Sequence, residues 1–210
     1  TIPQPSTQIC ILKSEEAFKR ALEIVENDPD TDTAIITGDL TNHGESYSHE
    51  EVRDILQEFT AKGGNPFAYP DIHDYPPFYI YSFDENGEHV PVEHLPEDEV
   101  KKIYYPLGRD KAFDIYEGDD TTFIAEILPG LYYIAMGYDF TDEGPVFSDE
   151  LMAWVKSHTE KAKEKGATVI CSTHRPIVTP SPAYKIMGKG HTFADGEKRI
   201  KELADMGVRL

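Results

Sequence analysis

Four residues combine reactive side chains with a telling placement: Asp39, His73, Asp74 and His174. Carboxylate oxygen and imidazole nitrogen together suit zinc, iron or manganese. Asp39 ends "TAIITGD" (33–39), His73 and Asp74 sit in "YPDIHDY" (69–75), and His174 ends "ATVICSTH" (167–174). Each also has an ordinary role open to it. An aspartate often starts a turn through local hydrogen bonds. His73 could stack in a proline-aromatic loop, and a lone histidine such as His174 is commonly a satisfied core residue. Taken together the ordinary roles weaken, because all of these residues follow strand-like runs. Open α/β sheets gather their ligand sites at strand carboxyl ends.

The elements that would carry them read as follows. Ser14 is an N-cap with Glu15 and Glu16 in the first turn, and Phe18, Ala21, Leu22 and Val25 follow at helical spacing. Ala34, Ile35 and Ile36 form a strand expected to be covered on both faces. Ser48 with Glu51 reads as a capping box, Val52, Ile55, Leu56 and Phe59 as the buried stripe of a second helix, and Gly63-Gly64 as its stop. A short strand near Pro66–Tyr69 leads into the proline-aromatic stretch, and a short helix is expected near Glu97–Tyr104. Residues 121–136 predict a hairpin turning at Pro129-Gly130. Residues 147–166 predict a capped helix with Leu151, Met152, Trp154 and Val155 in the core. A buried strand at 167–176, a helix at about Asp195–Met206 and one more strand starting in "GVRL" complete the chain. The expectation is a single α/β domain over residues 1–210, a mixed β-sheet sandwich flanked by helices on both faces, with an irregular insertion at 75–120 over the site. His43, His49, His89, His94 and His158 lack strand-end placement and are read as solvated.

The net charge of −19 over 210 residues argues against a nucleic-acid duplex as partner. Most of that excess lies in residues 1–105, where 7 Lys+Arg face 22 Asp+Glu. Such a surface repels phosphate at long range, but a bound divalent cation inverts the field locally. No apolar run approaches the length of a membrane span. Cys10 and Cys171 are far apart; Cys171 reads as a buried thiol, and the pair leaves the compartment, cytoplasmic or exported, open.

"AIITGDLTNHGE" resembles the second signature of the calcineurin-like metallophosphoesterases, whose core is "GD" after a buried strand. The likeness continues in order. "YPDIHDY" stands where that family has "PGNHD". "FSDELMAWVKSHTEKAKEKGATVICSTHRP" resembles its helix with a Trp and the strand ending in "HHP". "GEKRIKELADMGVRL" resembles the helix and strand start before its last "GHxH". The resemblance implies a dinuclear phosphoesterase that hydrolyses phosphomonoesters or phosphodiesters. Its substrate would be a small-molecule or nucleotide-like phosphate ester, and its cofactors two divalent ions, manganese, iron or zinc. It assigns Asp39 as the bridging metal ligand and His174 as a ligand to one metal. It gives His73 the role of acting on the substrate phosphate or leaving group, with Asp74 orienting it.

Three departures accompany the likeness. Ile72 occupies the position of the asparagine ligand, and an alkyl side chain does not coordinate; Asn65 precedes its strand rather than following it. The first Asp-x-His signature would fall about at Thr1, and the last Gly-His-x-His a few residues past Leu210. Trimming at both ends is the simpler expectation, and with it weak metal binding and little turnover by these 210 residues alone. The competing expectation is a metal-free binding or structural descendant of the same fold.

Overall fold

The computed structural model describes residues 13–75, 81–83, 88–119, 121–179 and 191–209. Two compact units divide the chain, Thr1–Asp110 and Lys111–Leu210. Among the described residues they hold five helices and several small sheets, a mixed α/β architecture. None of the helices is long and apolar enough to cross a membrane.

The first unit runs α1 (Ser14–Glu26), β1 (Thr33–Thr37), α2 (Ser46–Ala61), β2 (Asn65–Tyr69), the antiparallel pair β3 (Tyr81–Phe83) and β4 (His89–Pro91), and α3 (Glu97–Tyr104). β1 and β2 pair in parallel, from Thr33 opposite Asn65 to Thr37 opposite Tyr69. Parallel neighbours need a crossover, and α2 supplies it. Its Val52, Ile55, Leu56 and Phe59 recur at helical spacing and are buried with Leu22, Ala68, Val100, Tyr104 and Leu107. Full burial of each such side chain stabilises by about 1.5–3 kcal/mol. The parallel register brings the carboxyl ends of β1 and β2 side by side, so the loops holding Asp39 and His73 start as neighbours.

Three expectations are corrected here. α1 starts at Ser14 with Lys13 in the capping position, so Ser14 is not the cap. α2 starts at Ser46 with Glu45 before it, which puts Ser48 and Glu51 inside the helix. The backbone geometry of Glu45, extended at φ −63° and ψ 134°, sets that boundary. β1 is not covered on both faces: Ile35 is 37% exposed and its neighbours are half-buried. Within this unit β1 is paired, among the described residues, with β2 alone.

The second unit contains β5 (Ala112–Ile115), β6 (Phe123–Leu128), β7 (Leu131–Ala135), the small hairpin β8 (Asp139–Thr141) and β9 (Gly144–Val146), α4 (Asp149–Glu164), β10 (Thr168–Ser172) and α5 (Gly196–Met206). Its sheet has the order β10-β7-β6-β5, with β10 parallel to β7 and the other pairs antiparallel. The hairpin turns at Pro129-Gly130 as the sequence predicts. Arg209 forms a parallel bridge with Ile170 on β10, the strand start expected in "GVRL". The core joins Ile124, Ile134 and Met136 to Leu151, Met152 and Val155 of α4 and to Cys171, Phe193 and Leu203. Burial pushes the Cys171 thiol up to about 12, so it stays protonated. Trp154 is only partly buried; it packs on this core with its ring 5.9 Å from that of Tyr116 and 4.4 Å from that of His158. Cys10 lies outside the described residues.

Candidate functional site

Asp39 lies two residues past β1, where the chain reverses through two left-handed residues, Gly38 at φ 80° and Asp39 at φ 52°. Asp39 is the single described residue other than glycine with positive φ. Such a conformation is strained for an L residue and persists where surroundings enforce it. The enforcement is visible: Asp39 Oδ1 accepts the His73 backbone N–H at 3.0 Å. One carboxylate oxygen of Asp39 and one of Asp71 lie within 4.8 Å of each other. Two oxygens that share a manganese- or calcium-sized cation at about 2.1–2.4 Å each span at most about 4–5 Å. That spacing makes the pair a candidate for one divalent cation.

His73 is exposed, and its ring is fixed by Asn42. Nδ1 lies 2.9 Å from the Asn42 carbonyl oxygen, which can only accept. Nδ1 therefore carries a proton, and in the neutral ring the lone pair is on Nε2. The ring of His43 stands 6.0 Å away.

Asp74 acts differently from the expected orientation of the His73 ring. It is fully buried and clamps the two loops through their backbones. Oδ1 accepts the Thr41 N–H at 2.7 Å, and Oδ2 accepts the Asp71 N–H at 2.9 Å. The Thr41 hydroxyl lies 3.1 Å from Asp74 Oδ1 and 3.0 Å from the His73 carbonyl, either of which can take its proton. Burial pushes the Asp74 carboxyl up to about 6, against the pull of the Asp71, Thr41 and Leu40 N–H groups and the Thr41 hydroxyl. Gly44 closes the same loop at φ 70°, where a side chain would be strained and its Cβ would press to 3.2 Å from the Tyr75 backbone.

His49, expected to be solvated, is fully buried beneath this clamp. Its Nε2 donates to the Asp74 carbonyl at 2.8 Å, and its Nδ1 faces the Tyr104 hydroxyl at 3.2 Å. Burial holds its pKa below the ordinary histidine value, which keeps the ring neutral and that tautomer in place. His158 is a second correction: it is buried in the other unit, with Nε2 2.8 Å from Asp114 Oδ2. His94 is exposed, as expected, and His43 is half-buried.

His174 lies in the second unit, two residues past the end of β10 and half-buried. Beside it, Arg175 donates Nε to the Tyr138 hydroxyl at 2.9 Å and sits over the rings of Tyr138 and Phe140, 5.8 and 5.2 Å from their centroids. Asn65 opens β2 and donates Nδ2 to Thr33 Oγ1 at 3.3 Å, at the strand's amino end and away from Asp39. Ile72 is 46% exposed.

Sequence reasoning missed Asp71, Thr41, Asn42 and His49. Signals existed for two of them. Asp71 stands three residues before Asp74, the spacing of a single turn. His49 falls three residues before Val52 and seven before Leu56, on the buried stripe of α2. Asn42 acts through its carbonyl, which side-chain chemistry does not reveal.

Comparison with protein-family models and with curated proteins finds no match.

Proposed function

We propose that the protein is a metal-dependent phosphoesterase of the calcineurin-like type, acting on phosphomonoesters or phosphodiesters. The observation that supports this most is the meeting of two motifs 34 residues apart, "GD" and "HD": Asp39 accepts the His73 N–H at 3.0 Å. The fold that goes with this reading is a mixed β sandwich flanked by helices, and the substrate is a small or nucleotide-like phosphate ester.

When bound, two divalent cations supply an activated water and neutralise the phosphoryl oxygens. The chain's own residues do the rest. Asp39 would offer its carboxylate to the cations from its left-handed turn, the ligand role that the resemblance implies. With Nδ1 donating to the Asn42 carbonyl, Nε2 of His73 would face the leaving oxygen and hand it a proton as the ester P–O bond breaks, while the attacking water's oxygen forms the new P–O bond and its proton passes to solvent. Asn42 keeps Nδ1 protonated throughout. Asp74 holds the two loops at one spacing. His174 keeps the metal-ligand role that the resemblance implies.

A second reading, a metal-free binding descendant of the fold, is favoured by one observation, the alkyl side chain of Ile72. Hydrolysis of an aryl phosphate and an aryl phosphodiester with added manganese separates the two. Manganese-dependent turnover, however slow, that falls to background in Asp39→Ala and in His73→Ala supports the phosphoesterase. Turnover indifferent to Asp39 overturns it, and an inactive protein whose unfolding manganese does not shift favours the binding module.

A further inference from the structure

We infer that Asp71 supplies the metal-coordinating oxygen that Ile72 cannot; the inference rests on the phosphoesterase reading. Ile72 is aliphatic and 46% exposed, so it offers a cation nothing. The residue before it does. A carboxylate oxygen of Asp71 lies within 4.8 Å of one of Asp39. The backbone between Asp71 and Asp74 is closed in both directions: Asp71 N–H donates to Asp74 Oδ2 at 2.9 Å, and Asp74 N–H donates to the Asp71 carbonyl at 2.8 Å. Asp71 Oδ1 accepts the Ile72 N–H at 2.7 Å, which restricts the carboxylate's rotation. Relative to the motif it resembles, the candidate ligand stands one residue earlier and is a carboxylate instead of a neutral amide. The added negative charge strengthens attraction for a hard divalent cation such as manganese or magnesium.

Manganese(II) alone is the probe, titrated into 15N-labelled protein, with paramagnetic broadening of backbone amide signals as the readout; this detects weak and rapidly exchanging binding. Broadening should centre on Leu40, Thr41, Ile72 and His73. Asp71→Ala should weaken the apparent affinity at least about tenfold, the lower end of what loss of even an outer-shell partner costs a metal site. Asp71→Asn, which keeps the side-chain shape and the backbone donor to Asp74, should also weaken it, and Ile72→Ala should leave it unchanged. Signals remote from the loops report whether each variant is folded. If Asp39→Asn weakens binding while both Asp71 variants retain wild-type affinity, Asp71 is not a ligand and the phosphoesterase reading stands. If the wild type shows no broadening at these residues, or Asp39→Asn leaves it intact, the phosphoesterase reading falls and this inference with it.

Discussion

Asp39 combines the side chain the proposed chemistry needs with a backbone conformation that side chains resist. A left-handed residue costs roughly 1–2 kcal/mol for an ordinary L side chain and nothing for glycine. Asp39→Gly should therefore be more stable than Asp39→Ala, by about 1 kcal/mol, in urea unfolding; both lose the carboxylate. Equal stability would show that the turn is not strained. Asp74 makes a pH prediction. Its carboxyl, ordinarily at 3.8, is pushed up to about 6 in the folded protein by burial. The folded state then holds this proton more tightly than the unfolded chain does. Stability from this group is present in full below 3.8, falls as pH rises between 3.8 and 6, and levels off above that. The total fall is about 3 kcal/mol, at 1.36 kcal/mol per pH unit. Subtracting the urea stability of Asp74→Asn from that of the wild type isolates this contribution. A difference that is flat between pH 4 and 7 would mean the carboxyl titrates alike in both states.

At the scale of elements, two serines near helix starts have different fates. Ser148 caps α4, its Oγ accepting the Leu151 N–H at 3.3 Å. Ser48 lies within the first turn of α2, two residues past its start. Ser148→Ala should cost about 1 kcal/mol, and Ser48→Ala should be neutral or slightly stabilising, because alanine has the higher helix propensity. Thermal unfolding of the two variants checks this, and equal losses would contradict it. The apolar stripes of α2 and α4 were legible from spacing alone. The histidines on those stripes were not, since residue type pointed to water while position pointed to the core. Arg199 of α5 is similar: it is 6% exposed yet meets Asp149, Asp195 and Glu202 at 2.7, 2.6 and 2.9 Å. A sequence does not reveal such a meeting between elements 50 residues apart.

For the molecule as a whole, a net charge of −19 implies self-repulsion in the folded state. The screening length shrinks from about 30 Å at 0.01 M salt to about 8 Å at 0.15 M. Raising sodium chloride over that range should increase the melting temperature by at least about 2 °C, near 1 kcal/mol for a chain of this size. A melting temperature unchanged or lowered by salt would mean that favourable ion pairs outweigh the repulsion. Each unit has its own buried core, around Leu56 and Phe59 in the first and Ile134 and Val155 in the second.

The sequence alone determined the elements whose signals are local. The hairpin at Pro129-Gly130, the helices at Glu97–Tyr104 and Asp149–Glu164, the strand before "GD" and the strand before "THRP" follow from spacing, turn residues and apolar runs, which neighbouring residues settle among themselves. Tertiary structure decided what depends on partners remote in sequence. The parallel register of β1 with β2 places the His73 N–H on Asp39, and Asp74 fastens to Thr41 rather than to the ring of His73. Burial of His49 and the approach of Asp71 to Asp39 follow from the same pairing. The physical reason is range. Helix and turn preferences act over a few residues, whereas desolvation and hydrogen-bond partners are set by whatever the fold brings alongside. A histidine's or an aspartate's role is thus written in its surroundings rather than in its type.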